Sequence, residues 1–389
     1  MKSFRRIFSG VVALMCLVSF ASCEKAGTEL SDLMIIQGIG VDYKDGLYTV
    51  TVEILNNEQS GSPNGDSVSE NKTKIYSMQG ETVSDALRLL TTKSGNLPLF
   101  AHNRVVVINE NLNEKTIADV LEFFVRNYDS RASQLLCVSK GKTAEEIIRA
   151  KLFKDTVKSE ILENLLTESY NRSLVPRVRV IDGVNALQNK CGGLCIPAVG
   201  IMRNGENEDY ELLGCAVYDE NGIISGYLSN EEAEGMAFIT DDFREGFLTQ
   251  ELYTNEFVSI VINKSKTKYD VFTENGRLKY RLTIDVSCDL DEVSVMEKKK
   301  SDPEILRDIK LSVAQGVSQR VEKTLDALQG PEGADCIMYY KLLQLENPRL
   351  FKTVENNWHD VFSSAQTQLR VNVTIRRAGE EILKDNETV

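Results

Sequence analysis

The residues best suited to covalent chemistry stand near the start of the chain, where an apolar segment ends in Ala21-Ser22-Cys23. Three basic residues precede the apolar run of residues 7–17, as in a secretory signal peptide, and this run is too short to span a bilayer. Small residues directly before a cysteine form a bacterial lipobox, in which the cysteine sulfur receives a diacylglyceryl group. We therefore predict a signal peptide over residues 1–22 and lipidation of Cys23. The alternative is an ordinary cleaved signal peptide followed by an incidental cysteine.

The other cysteines are scattered along the chain. Of the eight, Cys16 leaves with the signal peptide, and only two of the rest lie close together, in Cys191-Gly192-Gly193-Leu194-Cys195. This spacing permits a disulfide, a structural metal site or two free thiols, and the sequence leaves all three open. The remaining four stand among apolar residues, where a buried free thiol behaves as a small hydrophobe. They are Cys137, Cys215, Cys288 and Cys336.

Groups for acid–base or metal chemistry are scarce. The chain has two histidines, His102 and His359, which are too few for a histidine-rich metal site or a paired relay. The sequence places no nucleophile or carboxylate near His102, so we interpret this residue as structural. No glycine-rich phosphate loop follows a strand, and no Gly-x-Ser-x-Gly motif is present. We therefore expect no enzyme, no cofactor and no metal site.

Length and charge limit the classes of function further. With 389 residues, 42% of them hydrophobic and 26% charged, the chain is long enough for two or three globular domains. Its formal net charge of −13 becomes −16 when the signal peptide and its three basic residues are removed. This acidity argues against nucleic acid as a partner and against a polybasic membrane contact. Acyl chains on Cys23 would then supply the membrane attachment.

The elements of the first half follow from turn residues and apolar patterns. Asp45-Gly46 predicts a tight turn inside a hairpin of residues 39–54. The continuous apolar run of residues 105–108 predicts a strand covered on both faces. Further predicted strands are residues 73–79, 135–139, 178–183 and 196–201, and predicted helical segments are residues 82–92 and 143–168, the second with a change of direction.

In the second half, a polar step at residues 205–209 predicts a domain boundary, and Asp219-Glu220-Asn221 predicts the turn of another hairpin. A long helix is predicted to start at Ser301-Asp302-Pro303-Glu304, where capping residues meet a proline. Its apolar residues recur every four positions and favour packing on a sheet over a groove for a partner. They are Ile309, Val313, Val317, Val321 and Leu325.

Several of these stretches resemble the Ger(x)C family of spore-germination lipoproteins, the C subunits of nutrient germinant receptors. The opening of that family is similar to residues 29–42, which contain Gln37-Gly38-Ile39-Gly40-Val41-Asp42, and to the strand after Asp45-Gly46. The family also has a histidine before a buried strand, here His102, and then a helix, here residues 116–128. Basic residues accompany that helix, and here they are Arg126 and Arg131.

The resemblance continues to the end of the chain and covers residues 29–379. A hairpin with Gly-x-Ala-Val and Gly-x-Leu, followed by an acidic pair and Gly235, is similar to the start of the family's C-terminal domain. The family closes with a proline, a tryptophan and a strand that ends in basic residues. Here these are Pro348, Trp358 and residues 369–379.

The resemblance implies an α+β fold of three consecutive small domains, each a mostly antiparallel sheet packed with helices. The expected domains are residues 23–140, 141–205 and 206–389. It also implies a non-catalytic subunit on the outer face of the inner spore membrane, anchored through acylated Cys23. Its partners would be the membrane-embedded A-type and B-type receptor subunits, with no nucleic acid.

Two other classes of protein remain as alternatives. A solute-binding lipoprotein of a transporter would share the lipobox, but it should show repeated βαβ units around a hinge cleft. The hairpins predicted at Asp45-Gly46 and Asn221-Gly222 oppose that arrangement. A lipid-anchored hydrolase fits less well, because the sequence offers no nucleophile arrangement.

Overall fold

The computed structural model describes residues 33–56, 72–112, 115–127, 130–153, 156–274, 277–293 and 302–377. The strands are β1 Leu33–Lys44, β2 Leu47–Leu55, β3 Thr73–Gly80, β4 Leu97–Leu99, β5 Val105–Asn109, β6 Leu135–Ser139, β7 Leu194–Asn204, β8 Asn207–Tyr218, β9 Ile224–Leu228, β10 Gly246–Tyr253, β11 Glu256–Glu274, β12 Arg277–Val293 and β13 Gln366–Arg377. The helices are α1 Val83–Ser94, α2 Ile117–Arg126, α3 Ala144–Ile148, α4 Lys158–Asn171, α5 Val180–Leu187, α6 Asn230–Ile239, α7 Asp302–Leu328, α8 Tyr339–Glu346, α9 Pro348–Val354 and α10 Trp358–Ser364. The predicted α+β class is confirmed.

The strands up to Leu228 form one sheet in the order β3-β2-β1-β5-β6-β7-β8-β9, with β4 beside β1. β1 and β2 are the predicted first hairpin. Asp45 and Gly46 at its turn have φ values of 53° and 84°, and positive φ at both central residues is what a tight I′ turn requires. β8 and β9 form the other predicted hairpin.

The centre of this sheet is parallel, a feature that the sequence patterns did not predict. β1, β5, β6 and β7 run in the same direction, whereas antiparallel pairs lie at both ends of the sheet. β5 is buried on both faces, as predicted: Val106 and Ile108 belong to one core, and Val105 and Val107 to another. Helices in the crossovers between parallel strands cover both faces of such a sheet.

One predicted strand was wrong. Residues 178–183 do not form a strand, because Val180–Leu187 is helix α5. The Arg179 backbone N–H donates to Asp182 Oδ2 at 2.9 Å, and the Arg179 guanidinium bonds to both oxygens of the same carboxylate. These bonds close the first helical turn, and they outweigh the alternating pattern of arginine and valine that reads as a strand. The helical segment 143–168, in contrast, is divided into α3 and α4, as predicted.

The short polar segment of residues 205–209, which was predicted to be a domain boundary, lies at the turn of a hairpin. β7 and β8 pair antiparallel up to Asn204 and Asn207, so both strands belong to the first sheet. The expected divisions near residues 140 and 205 therefore fall inside a single sheet, and the strands separate into two sheets only after Leu228. Folding of residues 23–140, 141–205 and 206–389 as separate domains stays a prediction.

The second sheet has the order β10-β11-β12-β13, with β13 parallel to β12 at the edge. Helix α7 crosses its inner face, and Ile309, Val313, Val317 and Val321 on that helix are each 0% exposed. The predicted packing of this apolar stripe on a sheet is therefore confirmed. Ser301, one of the predicted caps of α7, lies outside the described residues. None of the helices in the described ranges is both long enough and apolar enough to cross a membrane.

Candidate functional site

Two buried carboxylates on the first hairpin hold helices of the other layer, and the first is Asp42 at the end of the Gln37-to-Asp42 motif. Its oxygens accept the backbone N–H groups of Ala144 at 2.8 Å and Glu145 at 2.9 Å, the first residues of α3. Asn109 Nδ2 donates to the same carboxylate at 2.5 Å. Burial raises the pKa of Asp42, while these hydrogen bonds oppose the rise. Asp42 thus fixes α3 against β1 through the unsatisfied donors of a helix start.

The second buried carboxylate is Glu53 on β2, which is 0% exposed. It accepts the backbone N–H groups of Lys158 at 2.9 Å and Ser159 at 2.8 Å, and the Ser159 hydroxyl at 2.6 Å. These donors open helix α4, so Glu53 holds α4 as Asp42 holds α3. The oxygens of both carboxylates are therefore bound to the starts of helices.

The glycines of the same motif permit this close packing. A Cβ on Gly38 would overlap the Ser159 hydroxyl, and a Cβ on Gly40 would lie 2.9 Å from the Ala144 carbonyl oxygen. A side chain at either glycine would therefore push α4 or α3 away from the carboxylate that binds it. This motif consequently specifies the close packing of two helices on the sheet.

The remaining residues singled out from the sequence do not converge on one site. Cys23, the predicted lipidation site, lies outside the described residues. His102 is exposed at the end of a short 3-10 turn, and no described nucleophile or carboxylate bonds to it. Arg126 pairs with Glu122 on its own helix at 2.8 Å, and Arg131 is exposed.

The cysteine pair carries free thiols. Cys191 and Cys195 are both unbridged, as are the other described cysteines, so of the three alternatives the structure shows free thiols. Cys195 instead forms a thiol contact with Cys336, a residue far away in the chain. Burial raises the pKa of the Cys336 thiol, as does the hydrogen bond with Cys195. Among the described residues, no group of three or more histidine, cysteine, aspartate or glutamate side chains could hold a metal ion.

The loop that carries this pair joins the two sheets. Gly193 N donates to the Asp335 carbonyl oxygen at 3.1 Å, and Asn189 Nδ2 donates to the Tyr340 hydroxyl at 3.0 Å. A Cβ on Gly193 would lie 2.6 Å from Ala334 Cβ. The glycines therefore let the loop before β7 lie directly against the segment that leads into α8.

Asp335 is the central polar residue of this junction. Its carboxylate accepts the backbone N–H groups of Tyr339 at 3.0 Å and Tyr340 at 2.7 Å, and Trp358 Nε1 at 3.0 Å. Complete burial raises the pKa of Asp335 to about 6, although the three donors oppose the rise. Trp358 is the only tryptophan of the chain, and its indole N–H satisfies a buried charge while its ring packs against Phe351.

The sequence did not single out Asp335. An aspartate a few residues before an apolar helix is a recognised helix-start signal, and that signal could have found it. Its link to Trp358, 23 residues later, could not have been read from any local pattern.

The junction leaves little open space. A cavity of about 120 Å³ lies beside Asp335, lined among others by Lys190, Cys191, Trp358 and His359. Typical small-molecule sites occupy about 300–1,000 Å³. The site around Asp335 therefore has the geometry of a packed joint between two sheets.

Comparison with known proteins shows the family to which the chain belongs. It matches the family model "Spore germination protein N-terminal domain" over residues 27–201 and "Spore germination B3/ GerAC like, C-terminal" over residues 213–379. It is 24% identical to spore germination protein KC of Bacillus subtilis (strain 168), covering 96% of both chains. It is 23% identical to spore germination protein YndF of the same organism, covering 93% of this chain and 90% of YndF.

A solved structure shares the fold. The crystal structure of the GerBC protein matches with a TM-score of 0.58, covering 87% of this chain and 97% of GerBC at 19% identity. The class of protein is thereby defined as a spore germination protein with an N-terminal and a C-terminal domain. The chain belongs to the Ger(x)C family and is a GerC-type subunit, so the resemblance seen in the sequence is confirmed.

Proposed function

We propose that the chain is a non-catalytic, lipid-anchored subunit of a nutrient germinant receptor and stabilises the assembly of its membrane-embedded A-type and B-type subunits. The observation that carries this proposal is the match of both germination-protein family models, in order, over residues 27–201 and 213–379. The structure adds a physical reason. The polar groups that it buries, such as Asp42, Glu53 and Asp335, bind helix starts and a tryptophan, which suits a rigid docking body.

The anchor is Cys23, acylated at the outer face of the inner spore membrane. An acyl chain contributes about 0.8 kcal/mol per buried methylene, so two or more chains suffice for stable attachment. Cys23→Ala should therefore yield a protein that is exported and folded but that a high-salt wash releases from spore membranes, whereas the acylated wild type stays bound through the same wash. Membrane retention of this variant to the same extent as the wild type would refute lipid anchoring.

The nutrient pocket lies in a membrane subunit under this proposal. The structural partners of the buried carboxylates support that division of labour, because Asp42 and Glu53 are bound to the starts of helices. The test is to transplant residues 23–389 into a receptor with a different nutrient preference. Loss of receptor assembly, or normal assembly with the recipient's own preference, is expected. A switch to the donor's nutrient would refute the proposal.

A solute-binding lipoprotein is the second candidate, and the parallel centre of the first sheet is the observation in its favour. Such a protein closes on its solute through a hinge between lobes. Here the residues between the two sheets are bonded together around Asp335 and Gly193. Calorimetric titration of the mature chain with candidate nutrients separates the two functions, because tight binding by the isolated chain would favour the solute-binding protein.

A further inference from the structure

This acidic chain carries a basic surface on the open side of its second sheet. Helix α7 covers the inner side, whereas on the outer side the pairing registers bring more basic than acidic side chains into adjacent rows of β11, β12 and β13. The basic residues are Lys264, Lys266, Lys268, Lys279, Arg281 and Arg370, and the acidic residues are Asp270, Asp285 and Asp289. We name this surface the basic face. It stands out against a formal net charge of −13 for the whole chain.

Part of this charge is already neutralised. Lys266 pairs with Asp241, Lys268 with Asp285 at 2.9 Å, and Arg281 with Asp270 at 2.7 Å. Lys264 and Arg370 are exposed and form no salt bridge within the part of the chain that the structure describes, although Arg370 lies near enough to Asp285 to act on it electrostatically. No carboxylate is in direct contact with either cation, so both can still meet an external anion.

Exposed aromatic side chains extend the basic face toward β10. Phe247 is 53% exposed and pairs across the sheet with Val261, on the same side as the lysines, and the Arg172 guanidinium lies 5.4 Å from the centre of its ring. Phe257, 47% exposed, lies on that side one strand over, opposite Glu251. Basic residues that accompany exposed phenylalanines are the combination found where a protein surface lies in the headgroup region of a bilayer.

We propose that the basic face and the two phenylalanines are a contact surface for anionic phospholipid headgroups. Lipid fits better than an acidic protein segment, because the cations and the aromatic rings are spread over a flat sheet. Such a flat arrangement suits the extended, fluid surface that anionic headgroups form. The net negative charge of the chain does not prevent the contact, because charges beyond about 8–10 Å are screened at physiological salt.

The contact rests on the proposed function only in that the acylated Cys23 delivers the face to the membrane. Nine residues separate Cys23 from Leu33, the start of β1, and an extended chain from one to the other reaches at most about 35 Å. The body is therefore held within about its own diameter of the bilayer, where a weak, oriented contact is effective.

The test uses the mature chain, residues 23–389, with Cys23→Ser so that no acyl chain contributes. It is sedimented with vesicles of phosphatidylcholine alone or mixed with phosphatidylglycerol. Binding is expected only to the mixed vesicles and should weaken as salt rises. A basic residue near an anionic surface contributes about fivefold in partitioning, so Lys264→Gln/Arg370→Gln should lower binding roughly 25-fold.

The matched control is Lys93→Gln/Lys352→Gln, which changes the net charge equally on exposed helical positions elsewhere and should bind within twofold of the wild type.

Three outcomes would overturn the proposal. The first is that the chain does not bind the mixed vesicles even at low salt. The second is that both double variants lose vesicle binding equally. The third is that Lys264→Gln/Arg370→Gln binds vesicles as the wild type does but no longer associates with the membrane subunits. The last would assign the face to an acidic protein surface. Circular dichroism confirms that each variant is folded. Because Cys23 is absent from the assay, a negative result leaves lipid anchoring and the receptor role untouched.

Discussion

The buried carboxylate at the junction makes a pH-dependent contribution to stability that can be measured against an isosteric variant. Asp335 has an ordinary pKa of 3.8 in the unfolded chain and about 6 in the folded protein, because burial disfavours its charge. A raised pKa means that the folded state binds the proton more tightly. Its stabilising effect is therefore complete below about pH 3.8 and is lost as the pH rises through 6.

The magnitude follows from the shift. A difference of about two pKa units corresponds to about 3 kcal/mol in full, of which about 1.4 kcal/mol falls between pH 5 and pH 8. Asp335→Asn removes the titration but keeps the shape and one acceptor oxygen. The free energy of unfolding of the wild type minus that of Asp335→Asn should therefore decrease by about 1.4 kcal/mol from pH 5 to pH 8. Other titrating groups cancel in this difference.

Urea unfolding at both pH values measures the effect, with Trp358 fluorescence as the probe. Low protein concentration is needed at pH 5, because the sequence pI is about 4.9. Asp335→Ala is the companion variant, and it leaves three donors without an acceptor, namely Tyr339 N, Tyr340 N and Trp358 Nε1. It should lose about 3–5 kcal/mol, since an unsatisfied buried donor costs about 1–3 kcal/mol. A difference between wild type and Asp335→Asn that is constant or rises with pH would refute the reasoning.

Two further predictions concern glycines and thiols. Gly38→Ala should destabilise the protein by about 1–3 kcal/mol through overlap with the Ser159 hydroxyl, whereas Gly226→Ala, whose Cβ would meet only the Glu332 carbonyl oxygen at 3.7 Å, should change stability little. Equal effects in urea unfolding would show that the close approach of α4 to β1 is unimportant. Cys191→Ser/Cys195→Ser should accumulate in spores and support germination, because no bridge is lost. Failure of this variant to accumulate, seen by immunoblot of spore extracts, would show that the thiols are required for folding.

Local features of the fold were predictable because the residues that cause them are close in sequence. Asp45-Gly46 sets its own turn, and the stripe from Ile309 to Val321 lies on one side of a single helix. The strand predicted at residues 178–183 was wrong for a local reason as well, since the bond between Arg179 and Asp182 competes with the apolar alternation.

The polar joints could not be predicted, because they connect distant parts of the chain. Asp42 meets Ala144 across 102 positions, and Glu53 meets Ser159 across 106. Nothing in the sequence near Asp42 or Glu53 distinguishes a buried carboxylate at a helix start from a solvated one. The basic face could not be predicted either. The net charge is a sum over the whole chain, and only the pairing of the strands shows which charged residues share one side of the sheet.

The proposed role of this chain is to stabilise the membrane subunits of a germinant receptor. The most direct measurement is the amount of A-type and B-type subunit in spore membranes, by quantitative immunoblot, when the chain is deleted or restored. We expect both subunits and the nutrient response to fall together on deletion and to return with the wild-type chain. We also expect a tagged chain to capture both subunits from detergent-solubilised membranes. Normal subunit levels and a normal nutrient response in the deletion, in spores with no second chain of this family, would contradict it.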